Sequence, residues 1–234
     1  METILKENAK KLNIELSDEK IKKFILYKNL LKEWNEKINL TAITDDYEII
    51  IKHFIDSLTI EKYIPQGAKI IDVGTGAGFP GLPLKIVRDD LEVTLLDSLN
   101  KRINFLDEVI EKCGLTQIET IHGRAEDVAS NAQYREKFDI ATARAVANIA
   151  TLSEYCCPFV KVGGSFLCMK ADAEDEIKNS QKAIKTFGME IEKIEKMILE
   201  PVNAERTIII YKKNKTTPKT YPRKAGIPSK KPIL

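Results

Sequence analysis

The chain has 234 residues, 43% of them hydrophobic and 31% charged, with a formal net charge of +2. That length suits one sizeable domain with appendages, and that balance describes a soluble globular protein rather than a disordered or fibrous one. No apolar run is as long as a membrane span, the N-terminus lacks a signal-peptide core, and four cysteines without C-x-x-C spacing beside only two histidines argue against a zinc site and for reduced thiols in a cytoplasmic protein.

Residues 2–13 read as a short first helix. Ser17 or Asp18 can cap the next, in which Ile21, Phe24, Ile25, Tyr27, Leu30, Leu31, Trp34 and Ile38 recur at helical spacing. Trp34 reads as core. After the polar break Asn39-Leu-Thr-Ala-Ile-Thr44, Asp45 and Glu48 read as a cap pair opening a helix from Ile49 to Ile60. Residues 1–63 are thus a helical lead-in. His53 and Asp56 lie three apart on that helix and can face each other. With no nucleophile nearby they make no hydrolase site, and a pair that locks the helix is the plainer reading.

The chain then reaches Lys69-Ile-Ile-Asp-Val-Gly-Thr-Gly-Ala-Gly-Phe-Pro-Gly-Leu-Pro83. The β-branched run reads as a buried strand, the glycines as a turn, and Pro80 and Pro83 suit a helix's first turn. Strand, glycine turn and helix N-terminus is how open α/β sheets hold adenosine-containing cofactors. Two cofactors compete. Gly76-Ala-Gly78-Phe-Pro-Gly81 fits the dinucleotide fingerprint, in which the helix N-terminus faces a pyrophosphate. The longer Asp72-Val-Gly74-Thr-Gly76-Ala-Gly78 resembles motif I of class I methyltransferases, whose cofactor S-adenosylmethionine carries a sulfonium and an ammonium. Asp72 at the strand end would favour those cations and repel a pyrophosphate. Asp97 ends the next apolar run, 19 residues after Gly78, where a carboxylate grips ribose hydroxyls in either reading.

Beyond Gly67 strands alternate with helices: strands at 69–73, 92–97, 117–122, 138–142 and 164–169, helices at 81–88, 101–113, 126–131, 147–157 and 172–186. That implies a mainly parallel sheet with helices on both faces. Met189–Ile198 and Arg206–Tyr211 would close it as an antiparallel hairpin. Ser98 or Asn100 can cap the helix after Asp97, and Lys101 and Arg102 in its first turn oppose the helix dipole, which hints at an anionic substrate. In the methyltransferase layout the turn His122-Gly-Arg124-Ala125-Glu126 meets the adenine. The fourth strand ends at Arg144, facing the transferred methyl. The Asn/Asp-Pro-Pro-aromatic sequence of amino-group methyltransferases is absent there. Cys156-Cys157-Pro158 has the wrong order for a pyrimidine-C5 nucleophile and reads as core. Arg144 instead offers a planar fork for a phosphate or a guanine edge.

Taken in order, Trp34-Asn-Glu-Lys-Ile-Asn39-Leu-Thr41, His53-Phe-Ile-Asp56-Ser57, the Asp72–Pro83 stretch, Leu95-Leu-Asp97-Ser98, Lys101-Arg102, Arg124-Ala-Glu126, Arg144-Ala145 and Glu205-Arg206 resemble the RsmG (glucose-inhibited division protein B) family of 16S rRNA guanine-N7 methyltransferases. The resemblance implies a class I methyltransferase fold of α/β type, Rossmann-like, with a mainly parallel seven-stranded sheet. It implies S-adenosylmethionine contacts at Gly74, Phe79, Ala125, Glu126 and Arg144, with Gly76 in the turn and Asp97 and Ser98 by the ribose. The implied substrate is one guanine in the decoding-region loop of 16S rRNA, within the small ribosomal subunit or an assembly intermediate. Guanine N7 has a free lone pair and no proton to lose, so no catalytic base is expected; with two histidines and no C-x-x-C spacing, no metal is expected either. Arg102, Arg124, Lys170 and Arg206 are the candidate RNA contacts.

Residues 211–234 hold eight Lys or Arg and no acid, leaving 29 basic against 35 acidic side chains, a net of −6, in residues 1–210. An acidic body with a basic tail suggests an anionic partner. Prolines punctuate the tail, which reads as extended and poorly packed. The expected organisation is a helical extension at 1–63, the methyltransferase domain at 64–211 and the tail at 212–234, in a monomer. A small-molecule methyltransferase, a NAD-binding oxidoreductase and a non-catalytic RNA-binding protein on the same fold are the rivals. Asp72 and the lack of a separate substrate domain count against the oxidoreductase.

Overall fold

The computed structural model describes residues 1–144 and 146–234; Ala145, part of the Arg144-Ala145 segment above, lies outside the described residues. The strands are β1 (Lys69–Val73), β2 (Glu92–Asp97), β3 (Ile118–His122), β4 (Phe138–Arg144), β5 (Val160–Lys170), β6 (Met189–Leu199) and β7 (Ala204–Lys213). They form one sheet in the order β3-β2-β1-β4-β5-β7-β6. β1 to β5 run parallel, and β7 inserts antiparallel between β5 and β6. The order reverses between β1 and β4, and such a switch point leaves a crevice at the strands' carboxyl ends. The glycine turn after Val73 and Arg144 at the end of β4 therefore meet there.

α1 (Glu2–Lys11) and α2 (Asp18–Ile38) open the chain. Ser17 Oγ accepts from Lys20 N at 3.3 Å, and Asn39 ends α2 in the left-handed region at φ 49°. Asp45 Oδ1 accepts from Glu48 N at 2.9 Å to start α3 (Asp46–Glu48). The next segment is not the regular α-helix expected: Ile49–Ile55 is π-helical before α4 (Asp56–Leu58). π-Helical turns occur often at functional sites, and this one carries His53. These helices share an apolar core with α5 (Gly81–Val87) and α6 (Asn100–Lys112) on one face of the sheet. Trp34 is half-buried against that core, its indole donating to Glu108 Oε2 at 2.7 Å.

The other face is covered by α7 (Ala125–Ser130), α8 (Ile149–Cys156), α9 (Glu174–Asn179) and α10 (Gln181–Thr186). The expected single helix over 172–186 is broken at Ser180, which is buried and donates back to the Ile177 carbonyl at 3.2 Å. All four cysteines are free and buried.

The tail is not loose. β7 continues to Lys213, whose buried ammonium donates to the Cys157 carbonyl at 2.8 Å and to Thr217 Oγ1 at 2.5 Å. Arg135 donates to the Tyr221 and Thr217 carbonyls at 2.7 and 2.8 Å. Arg223 grips Glu154, which is 1% exposed, and Pro228 is buried in the short helix α11 (Ile227–Lys230). Proline spacing alone predicts an extended chain; the partners that fold it back lie on distant elements.

Candidate functional site

The glycine turn is fixed by its own backbone. The N–H groups of Gly74 and Thr75 donate to the Leu96 carbonyl, and those of Gly78 and Phe79 donate to the Thr75 carbonyl. Gly76 N–H goes to Asp97 Oδ2 at 2.9 Å and Gly81 N–H to Asp72 Oδ2 at 2.9 Å. Six amides of the turn and of the start of α5 are therefore already bonded to the protein and are not free to meet a pyrophosphate. Gly76 has φ +63°, and a Cβ there would project into open space, so the turn leaves a cradle that a side chain would fill. Gly78 is needed for close approach: a Cβ would fall 2.8 Å from the Tyr27 hydroxyl.

A cavity of about 370 Å³ opens over this turn, within the range of small-molecule sites. Gly74, Gly76, Phe79, Asp97, Ser98, Arg102 and Arg144 all line it, together with Thr41, His53 and Val146. Asp97 is 2% exposed, and both of its oxygens are engaged. Oδ1 accepts from Leu99 N at 2.9 Å; Oδ2 accepts from Gly76 N and from Arg102 at 3.2 Å. A carboxylate has about four acceptor positions, so room for a ribose hydroxyl remains on Oδ1. Asp97, not Ser98 or Asn100, bonds the backbone entering α6, which has no side-chain cap.

Asp72 does not face the cavity as expected. It is fully buried, and its Oδ2 accepts from Thr75 Oγ1 at 2.7 Å and from Gly81 N at the start of α5. Its acid serves the turn and a helix N-terminus. Burial pushes its pKa up to about 6, and Oδ1 has no partner.

Arg144 is half-withdrawn rather than a free fork. It donates to the Lys52 carbonyl at 3.1 Å, to Asp56 Oδ2 at 3.0 Å and to His53 Nδ1 at 3.1 Å. Its guanidinium lies 4.8 Å from the Phe79 ring centroid, and His53 stacks on the same ring at 4.4 Å. Thr41 Oγ1 sits 2.8 Å from His53 Nε2, so both imidazole nitrogens are engaged. Burial first and Arg144 second push the His53 pKa down to about 3, keeping the ring neutral. Asp56 Oδ1 also accepts from Arg206 Nε at 2.6 Å, so one buried carboxylate bridges two guanidiniums. His53 and Asp56 meet Arg144 rather than locking the helix between themselves.

Arg206 and Lys170 line a second cavity of about 330 Å³ that shares His53 and Arg144 with the first. Lys170 is not free for phosphate: its ammonium donates to the Ala147 carbonyl at 2.6 Å and pairs with Glu176 at 2.8 Å. Arg124 is exposed at the start of α7, outside both linings. Ala125 and Glu126 also stay outside the first cavity, and the buried Glu126 carboxylate accepts from Gly226 N of the tail at 2.8 Å. In the sequence Thr41 and Val146 are not singled out as site residues, and His53 reads as half of a pair that locks its helix rather than as part of the cavity wall. Their signals were the polar break Asn39–Thr44 and a His and an Asp interrupting an isoleucine-rich helix. Among the described residues no cluster of His, Cys, Asp and Glu could hold a metal ion, and no helix is long and apolar enough to cross a membrane.

The family model described as rRNA small subunit methyltransferase G (GidB) matches residues 20–208. The ribosomal RNA small subunit methyltransferase G of Clostridium novyi is 53% identical over 234 residues, covering 99% of this chain and 96% of that protein. Its counterpart in Acetivibrio thermocellus is 53% identical over 231 residues, covering 98% and 96%. Among solved structures, M. jannaschii TYW2 in complex with AdoMet superposes with a TM-score of 0.54 at 14% identity, covering 68% of this chain and 76% of that one. That likeness shows the fold alone.

Proposed function

The chain belongs to the rRNA small subunit methyltransferase G family, and from that premise we propose that it methylates N7 of one guanine in the decoding-region loop of 16S rRNA. When bound, S-adenosylmethionine supplies a methyl group on a positive sulfur, and guanine N7 offers a lone pair with no proton to lose. The observation that carries the cofactor reading is the glycine turn with its amides already spent, which disfavours a pyrophosphate, beside Asp97 with an acceptor position to spare. Gly74, Gly76 and Phe79 form the cofactor's wall, and Asp97 and Ser98 take its ribose. Ala125 and Glu126 read the adenine through the first-turn amides of α7, since the Glu126 side chain is already bonded to Gly226.

No residue acts as a general base. His53 is the obvious candidate by type, but Thr41 and Arg144 engage both its nitrogens and its pKa is low. It holds Arg144 in place, as Asp56 does from the other side. The protein's contribution is orientation, which can remove about 7–11 kcal/mol of barrier. Residues 64–211 carry the site, residues 1–63 add Thr41 and His53 to its wall, and residues 212–234 give a basic outer face. The enzyme works as a monomer in the cytoplasm on the small subunit or an assembly intermediate.

The test is to incubate the protein with methyl-labelled S-adenosylmethionine and small ribosomal subunits from a strain that lacks it, then map the label. Label on N7 of one guanine is the expected result. Cofactor binding without label on subunits or free rRNA would move the reading to a small-molecule methyltransferase.

A further inference from the structure

The second cavity adjoins the first at His53 and Arg144, at the carboxyl ends of β4 and β5. Its lining divides by chemistry. Ile43, Met169 and Ala171 supply an apolar surface; Lys52, Lys170, Arg206 and Arg144 supply four positive charges against the one carboxylate of Asp56. That carboxylate bridges the two arginines, and Glu48 and Glu176 pair with Lys52 and Lys170 at 2.5 and 2.8 Å, so four cations face three acids and the rim keeps a net charge of +1. An apolar seat with a cationic rim fits a nucleobase joined to its phosphates, the combination by which proteins hold single-stranded nucleic acid. Arg206 also belongs to a third, smaller cavity, where Asp172 and Glu205 balance Lys196 and Arg206, so the net positive surface ends at the second cavity.

Building on the methyltransferase reading above, we propose that this second cavity seats the target nucleotide of the RNA. The base lies against Ile43, Met169 and Ala171, the flanking phosphates meet Lys52 and Arg206, and the base edge turns past Arg144 and His53, which line both cavities, toward the cofactor cavity.

Ala171 is exposed at the rim, so Ala171→Trp fills the seat without disturbing the core; Ala171→Glu, which adds a repelling charge instead of bulk, serves if the tryptophan variant does not fold. Lys52→Ala removes one rim cation. Three quantities are read: S-adenosylmethionine affinity of the protein alone, binding of fluorescent single-stranded oligoribonucleotide carrying the decoding-loop sequence, and kcat/KM for methylation of small subunits. Ala171→Trp is expected to leave cofactor affinity within about twofold and to cut kcat/KM about 100-fold, the scale of loss that misplacement of a reacting group produces. Lys52→Ala is expected to raise KM, leave kcat unchanged and lower the salt slope of oligonucleotide binding by about 0.7, the single-strand value for one phosphate contact. Unchanged oligonucleotide binding and kcat/KM in both Ala171 variants would overturn the proposal, as would a loss of cofactor affinity that matches the loss of activity. If the wild-type protein methylates no RNA yet binds the oligonucleotide in an Ala171-dependent way, the cavity assignment stands and the reaction assigned above falls.

Discussion

Asp97 holds the Gly76, Leu99 and Arg102 donors together, so it sets the shape of the glycine turn as well as lining the cavity. Asp97→Asn turns one acceptor into a donor facing N–H groups. Hydrogen bonds to charged groups contribute about 1.5–3 kcal/mol, so the variant is expected to bind S-adenosylmethionine roughly 10- to 100-fold more weakly in a calorimetric titration. His53 makes a pH prediction. Its pKa is held at about 3 in the folded protein against an ordinary 6.5, so the unfolded chain binds the proton first. The stability it supports is full above pH 6.5 and is lost as pH falls toward about 3. Asp72 runs the other way: raised to about 6 from 3.8, its share is present below 3.8 and lost as pH rises through 6. In urea unfolding between pH 7 and 5, His53→Gln is therefore expected to lose less stability on acidification than the wild type. Equal losses would show that the imidazole is not held neutral.

At the scale of elements, the tail and α8 depend on each other. Glu154 on α8 is 1% exposed, and Arg223 supplies its cation and a backbone N–H, at 2.6 and 2.7 Å. Removing one partner of a buried ion pair strands the other charge, whereas replacing both with apolar groups is often nearly neutral. Arg223→Leu is expected to cost on the order of 3 kcal/mol in urea unfolding, and the double variant Arg223→Leu, Glu154→Leu clearly less. The π-helical segment is the other element with a visible consequence. It contains His53 and leads into Asp56, which together hold the Arg144 guanidinium.

For the whole molecule, the basic tail is a face rather than a loose arm. Lys213 is buried and Arg223 is paired, so two of its eight cations are consumed by the fold. Lys219, Lys224, Lys230 and Lys231 are exposed. Changing those four to Gln leaves the packing of the tail intact, and RNA binding should then depend less steeply on salt, by about 0.7 in slope for each phosphate that is no longer neutralised. An unchanged slope would show that the tail does not touch RNA.

The strand, turn and helix from Lys69 to Val87 were legible because each step has a local cause: β-branched residues for the strand, glycines where the backbone turns with positive φ, prolines in a helix's first turn. The alternation of strands and helices carried the sheet for the same reason, since periodicity is a property of neighbouring residues. Partnership across the fold was not legible. Asp56 meets Arg206 150 positions away, and Glu126 meets Gly226 100 positions away. Nothing in the sequence around either residue marks the other. Asp72 shows the same division within one motif. Its place at a strand end was evident from the sequence, but only packing decided that its carboxylate turns inward to Thr75 and Gly81 instead of outward to a ligand. Local sequence determined which elements form and where the glycine turn lies; tertiary structure decided which charges are already neutralised by partners, and so which remain for cofactor and RNA.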